Sequence, residues 1–94
     1  MLDFYTIRDD QSTSVRGLKL ALVGGIEYEE FTAAQDAGII EPHLDYYGDF
    51  WWSSELVQRK LALLVKLNSK ALEPLASVLK QAKAAECGVV ARGD

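Results

Sequence analysis

Val89-Val90-Ala91, set between Gly88 and Arg92-Gly93, is short, β-branched and bounded by glycines, and it predicts a closing strand. At the other end of the chain, Leu2-Asp3-Phe4-Tyr5-Thr6-Ile7 is rich in aromatic and branched residues and predicts an opening strand. Alternation places Leu2, Phe4 and Thr6 on one face and Asp3, Tyr5 and Ile7 on the other. A last strand that returns beside the first makes a sheet, which the segments between must cover. Residues 17–23 alternate, with Leu18, Leu20 and Leu22 together, which suits a short second strand. A run this short has the same pattern as a helical turn. Residues 8–16 are polar and predict a loop, and Gly24-Gly25 predicts a break after the second strand.

Three helices fill the middle. The first is expected over residues 27–37, with Glu27, Glu29 and Glu30 at its electropositive start. Ile26, Glu30, Ala33 and Ala37 form one stripe, Phe31 and Ala34 a neighbouring one, and Gly38 closes the helix so that Ile39-Ile40 folds back. Pro42 prevents resumption. Residues 41–52 predict a loop. Ser53 or Ser54 then caps a helix over residues 55–67, whose apolar stripe is Val57, Leu61 and Leu64, widened by Leu56, Leu63 and Leu67. Pro74 suits the first turn of a third helix, which buries Leu72, Leu75, Val78, Leu79 and Ala82, exposes Lys80 and Lys83, and ends at Gly88. The expected fold is one α+β domain over residues 1–94: a two- or three-stranded sheet with three helices on one face.

The 94 residues make one domain that buries about 60% of its unfolded surface, and 49% hydrophobic with 26% charged residues is ordinary globular usage. The charge is unevenly laid out. Residues 21–58 hold eight carboxylates (Glu27, Glu29, Glu30, Asp36, Glu41, Asp45, Asp49, Glu55) and no Lys or Arg. Seven of the nine aromatics lie there too: Tyr28, Phe31, Tyr46, Tyr47, Phe50, Trp51 and Trp52. A net charge of −4 argues against nucleic acid, because phosphate backbones need clustered cations and the stacking segment has none. Cys87 is the single cysteine, so no internal disulfide forms. No signal pattern and no membrane-length apolar run is seen, which predicts a soluble, cytoplasmic protein with no membrane partner.

His43-Leu44-Asp45-Tyr46-Tyr47-Gly48-Asp49-Phe50-Trp51-Trp52 is the candidate site. Tyr and Trp offer large rigid contact area, and flanking carboxylates steer a basic partner. The expected partner-binding residues are Glu41, Asp45, Tyr46, Tyr47, Asp49, Trp51 and Trp52. Against this stands a structural role: Phe50 and one tryptophan are needed for the core, and Asp45 serves to brace its turn. If Trp51-Trp52 is extended, one indole buries while the other stays exposed. Glu27, Glu29 and Glu30 either extend the acidic face or simply complement the helix dipole. Catalysis is not expected. His43 has no Ser or Cys in a nucleophile turn beside it, and Cys87 lies at a helix C-terminus, where the dipole disfavours a thiolate. No cofactor is expected, and no metal: Glu41, Asp45 and Asp49 lack the dense alternation of a calcium loop.

Four stretches carry a resemblance: Met1-Leu2-Asp3-Phe4-Tyr5; Gly24-Gly25-Ile26-Glu27-Tyr28-Glu29-Glu30-Phe31; the Asp45-Tyr46-Tyr47-Gly48-Asp49 turn leading into a Ser-capped helix; and Gly93-Asp94. With them the chain resembles small bacterial proteins similar to the single-domain immunity partners of toxins. The resemblance implies an acidic protein that occludes a basic toxin surface, and it transfers no active-site residues. The expected function is thus a protein-binding module, not an enzyme, that meets a basic protein. The alternative is a small-ligand-binding domain for a sugar or a cationic amine. A homodimer, paired through a sheet edge built from residues 2–7 and 89–91, stands level with a monomer.

Overall fold

Asp3 pairs with Arg92 and Ile7 with Gly88 in the computed structural model, so the two ends of the sequence lie side by side as antiparallel strands. The structure describes residues 2–8 and 21–93. The expected loop beyond Arg8, and the part of the second strand that carries Leu18 and Leu20, lie outside the described residues. The elements run β1 (Leu2–Ile7), β2 (Ala21–Ile26), α1 (Tyr28–Asp36), β3 (Asp49–Trp52), α2 (Ser54–Leu67), a 3-10 turn (Lys70–Leu72), α3 (Glu73–Ala84) and β4 (Gly88–Arg92). The sheet order is β2-β1-β4-β3, with every pair antiparallel. The fold is α+β with four strands, where two or three were expected.

The extra strand comes from the end of the aromatic segment. Asp49–Trp52 is extended and pairs with β4 in the register Asp49↔Arg92 to Trp52↔Val89. Without it β4 would be an edge, and three consecutive aromatics suit a pleated surface. Gly24 and Gly25 do not end β2 but lie inside it. Phe4 faces Gly24 while Tyr5 faces Leu22, so Val23 is an extra residue in a bulge. Gly24 has φ of +151°, and a Cβ there would stand 3.0 Å from Val78 Cγ2, so glycine also lets α3 close on the strand. Among the described residues the sheet edges are therefore β2 and β3. The strands expected to offer a dimer edge, residues 2–7 and 89–91, are the two interior ones.

One face of the sheet supplies Leu2, Phe4, Ile26, Val89 and Ala91 to the core. Over it pack Phe31 and Ala34 of α1, Val57, Leu61 and Leu64 of α2, and Leu75, Val78, Leu79 and Ala82 of α3. The α2 and α3 stripes are those the spacing predicts. Of the two expected α1 stripes, Phe31 with Ala34 is the one that faces inward; Glu30 and Ala33 are half-buried, Ala37 is exposed and Ile26 belongs to β2. Burying Phe31 removes more apolar area than burying two alanines. Gly38 (φ +79°) ends α1 as expected. Its N–H bonds Gln35 O and the Ile39 N–H bonds Ala34 O, which turns Ile39 and Ile40 into the core. At the end of α3 that left-handed position falls to Glu86 (φ +58°), with the Cys87 N–H on Ala82 O. Gly88 is not the cap but the first residue of β4.

Candidate functional site

Residues 41–48 pass between α1 and β3, and three side chains hold them. The Gln35 carboxamide donates to Glu41 O (3.2 Å) and Leu44 O (3.0 Å), fastening this segment to α1. Asp45 Oδ1 accepts the Tyr47 N–H at 2.9 Å, and Asp45 O accepts the Gly48 N–H. This is the bracing role open to an Asp at such a turn. Tyr46 drops inward to 6% exposure. Its ring meets Tyr28 at 5.4 Å, Phe31 at 5.5 Å and Tyr47 at 5.0 Å, each edge to face. Burial first, then the nearby Glu27, Tyr47 and Glu29, pushes the Tyr46 phenol above its ordinary value.

Glu41 is the centre of a partly buried polar group. Its Oε1 accepts from Lys60 Nζ (2.7 Å) and its Oε2 from the Trp52 indole N–H (3.3 Å). Lys60, 8% exposed, also donates to Ile39 O and stands 4.5 Å from the Trp52 ring centroid. Four segments meet here: the turn after α1, the start of the loop, β3 and α2. Partial burial pushes the Glu41 carboxyl up, but the Lys60 hydrogen bond and charge, its own backbone and the indole outweigh this and hold it below its ordinary value of 4.5.

A carboxyl lowered in this way stabilises the fold above the unfolded value, and the contribution is lost as pH falls through the folded one. Glu41→Gln is expected to cost about 2 kcal/mol, discounted because Glu41 is one-third exposed, since Lys60 is left buried without a counter-charge. Adding Lys60→Met should recover most of the loss. Urea melts at pH 7 and pH 3.5 check both points, because the gap between parent and Glu41→Gln must narrow at the lower pH.

Strand alternation divides the tryptophans. Trp52 is 2% exposed in the core, whereas Trp51 is 43% exposed on the opposite face of the sheet. Register sets Trp51 in a row with Val90, Tyr5 and Leu22, and sets Arg92 between Asp49 and Asp3 in the next. The Arg92 guanidinium lies 5.8 Å from the Tyr5 ring.

The predicted partner-binding residues therefore separate. Asp45, Tyr47, Asp49 and Trp51 face solvent, with Tyr47 64% exposed, while Tyr46 and Trp52 are core and Glu41 is joined to Lys60. Two shallow, open depressions flank a ridge of His43 and Leu44. One is walled by Tyr28, Asp45 and Tyr46, the other by Glu41, Phe50, Trp51 and Leu56. Tyr28 belongs to this surface although sequence reasoning left it out of the site. The signal was its place between Glu27 and Glu29. Among the described residues no group of three or more His, Cys, Asp or Glu could hold a metal, and no helix is long and apolar enough to cross a membrane. No known family model, curated protein or solved structure matches this chain.

Proposed function

We propose that the chain is a protein-binding module that meets a basic partner across the surface between α1 and β3. The observation that carries this reading is the exposure of Tyr47 and Trp51 next to the outward-facing Asp45 and Asp49, in a stretch without Lys or Arg. Exposed aromatics supply contact area that persists once formed, and the carboxylates steer the approach. Glu41, Tyr46 and Trp52 support this surface from beneath. The specific version is an immunity-type inhibitor that acts by covering a basic surface of a toxin.

The parent protein, used as bait in a quantitative pull-down with mass spectrometry, identifies the partner, and purified pairs then give rates. Asp45→Lys is expected to slow association about tenfold at low salt and much less at 0.5 M salt. Trp51→Ala is expected to speed dissociation about tenfold with little change in association. Parental rates in both variants would remove this surface from consideration.

A further inference from the structure

We infer that the tyrosine cluster at the start of α1 is a seat for one arginine side chain of the partner. The inference rests on the protein-binding reading and adds a contact residue to it. Tyr46 is the buried base of the cluster, with Tyr28 and Tyr47 each edge-on to it within 5.4 Å. Those two rings are the open ones, 54% and 64% exposed. A large aromatic ring left in water beside a buried one offers a π face at little conformational cost, and a guanidinium stacks on such a face better than an ammonium does.

The charge around the rings has the matching sign. Asp45 lines the depression together with Tyr28 and Tyr46, and Glu27 and Glu29 flank Tyr28 in sequence. Glu27 and Glu29 also add to the upward push on the Tyr46 phenol, after its burial. Asp45 Oδ1 holds the Tyr47 amide, so this carboxylate is fixed in place before any ligand arrives. Electrostatics therefore favours a cation, the exposed ring faces favour a planar one, and the open depression suits the end of a long side chain more than a whole molecule.

The test uses N-acetyl-arginine methylamide as probe, the neutral citrulline analogue as isostere, and tetramethylammonium as a free cation. Binding is read from amide and ring chemical shifts of Tyr28, Tyr46 and Tyr47. The arginine analogue should give saturable shifts in the millimolar range, and the citrulline analogue should bind at least about fivefold more weakly. Tyr28→Leu should weaken the arginine analogue about fivefold with an unchanged melting temperature, because the ring is exposed. Asp45→Asn tests the ionic part and should also weaken it.

Equal binding of the citrulline analogue overturns the seat, as does parental binding in both Tyr28→Leu and Tyr47→Leu. Tetramethylammonium binding as tightly as the arginine analogue overturns the assignment to a protein side chain and favours a free amine. Arginine-analogue binding that survives while Asp45→Lys and Trp51→Ala leave partner rates untouched defeats the docking surface, and with it the partner as the source of the arginine. Loss of the analogue signal with those rate effects intact defeats the seat alone.

Discussion

Trp52→Ala is expected to lower stability by about 4 kcal/mol, and Trp51→Ala by less than about 1 kcal/mol, although the two residues are adjacent and identical. Trp52 is 2% exposed, packs 6.0 Å from Phe4 and 5.2 Å from Phe50, and donates its indole N–H to Glu41. Its removal leaves a cavity at the sheet edge and takes one of two side-chain donors from the carboxylate that pairs Lys60. Trp51 loses only half-exposed surface. At this chain length about 4 kcal/mol corresponds to a fall in Tm of roughly 20 °C. Thermal and urea melts of the two variants check the result, and equal destabilisation would contradict the assigned faces. For the same reason Trp52→Ala does not test binding, since any loss of partner would report unfolding.

Gly88→Ala should cost about 3 kcal/mol, at the upper end for added bulk in a packed site, whereas Gly48→Ala should change stability by less than about 0.5 kcal/mol. A Cβ on Gly88 would lie 2.2 Å from Trp52 O and 3.1 Å from Ser53 C. Those neighbours are backbone and cannot rotate away, so β4 must draw back from the point where β3 passes into the cap of α2. At Gly48 the nearest atoms are at 3.5 Å, which is ordinary contact. Chemical denaturation of the pair separates close approach from any general effect of losing a glycine. Equal midpoints for the two variants would show that the strand ends are not so tightly apposed.

Local chemistry made most of the helical layer legible. Ser53 accepts from the Leu56 N–H, and Leu75, Val78, Leu79 and Ala82 are buried as their spacing requires. Both outer strands of the sequence were visible because β-branched and aromatic residues are concentrated there. β3 was missed because a single composition served two purposes: carboxylates and tyrosines that mark a loop run directly into three aromatics that pair with β4. Gly24-Gly25 has the local signature of a reversal, and only the approach of Val78 shows why glycine stands inside a strand. The part of the site least accessible to sequence reasoning was the partly buried ion pair. Lys60 and Glu41 are distant in the chain, and the carboxylate counted as part of an outward acidic face is engaged with a buried ammonium. Pairings of that kind depend on tertiary distance, which residue spacing does not encode.

The pairing of Asp3 with Arg92 also imposes an order on folding. As the chain leaves the ribosome, α1, α2 and α3 are all complete before β4 emerges, and among the described strands β1 then has only β2 to pair with while β3 has no neighbour. The hydrophobic surface that β1 presents must then wait, unclosed, for β4. Non-local closure of this kind is slow compared with helix formation. A chain that has not yet made β4 is therefore exposed to chaperones and to misassociation.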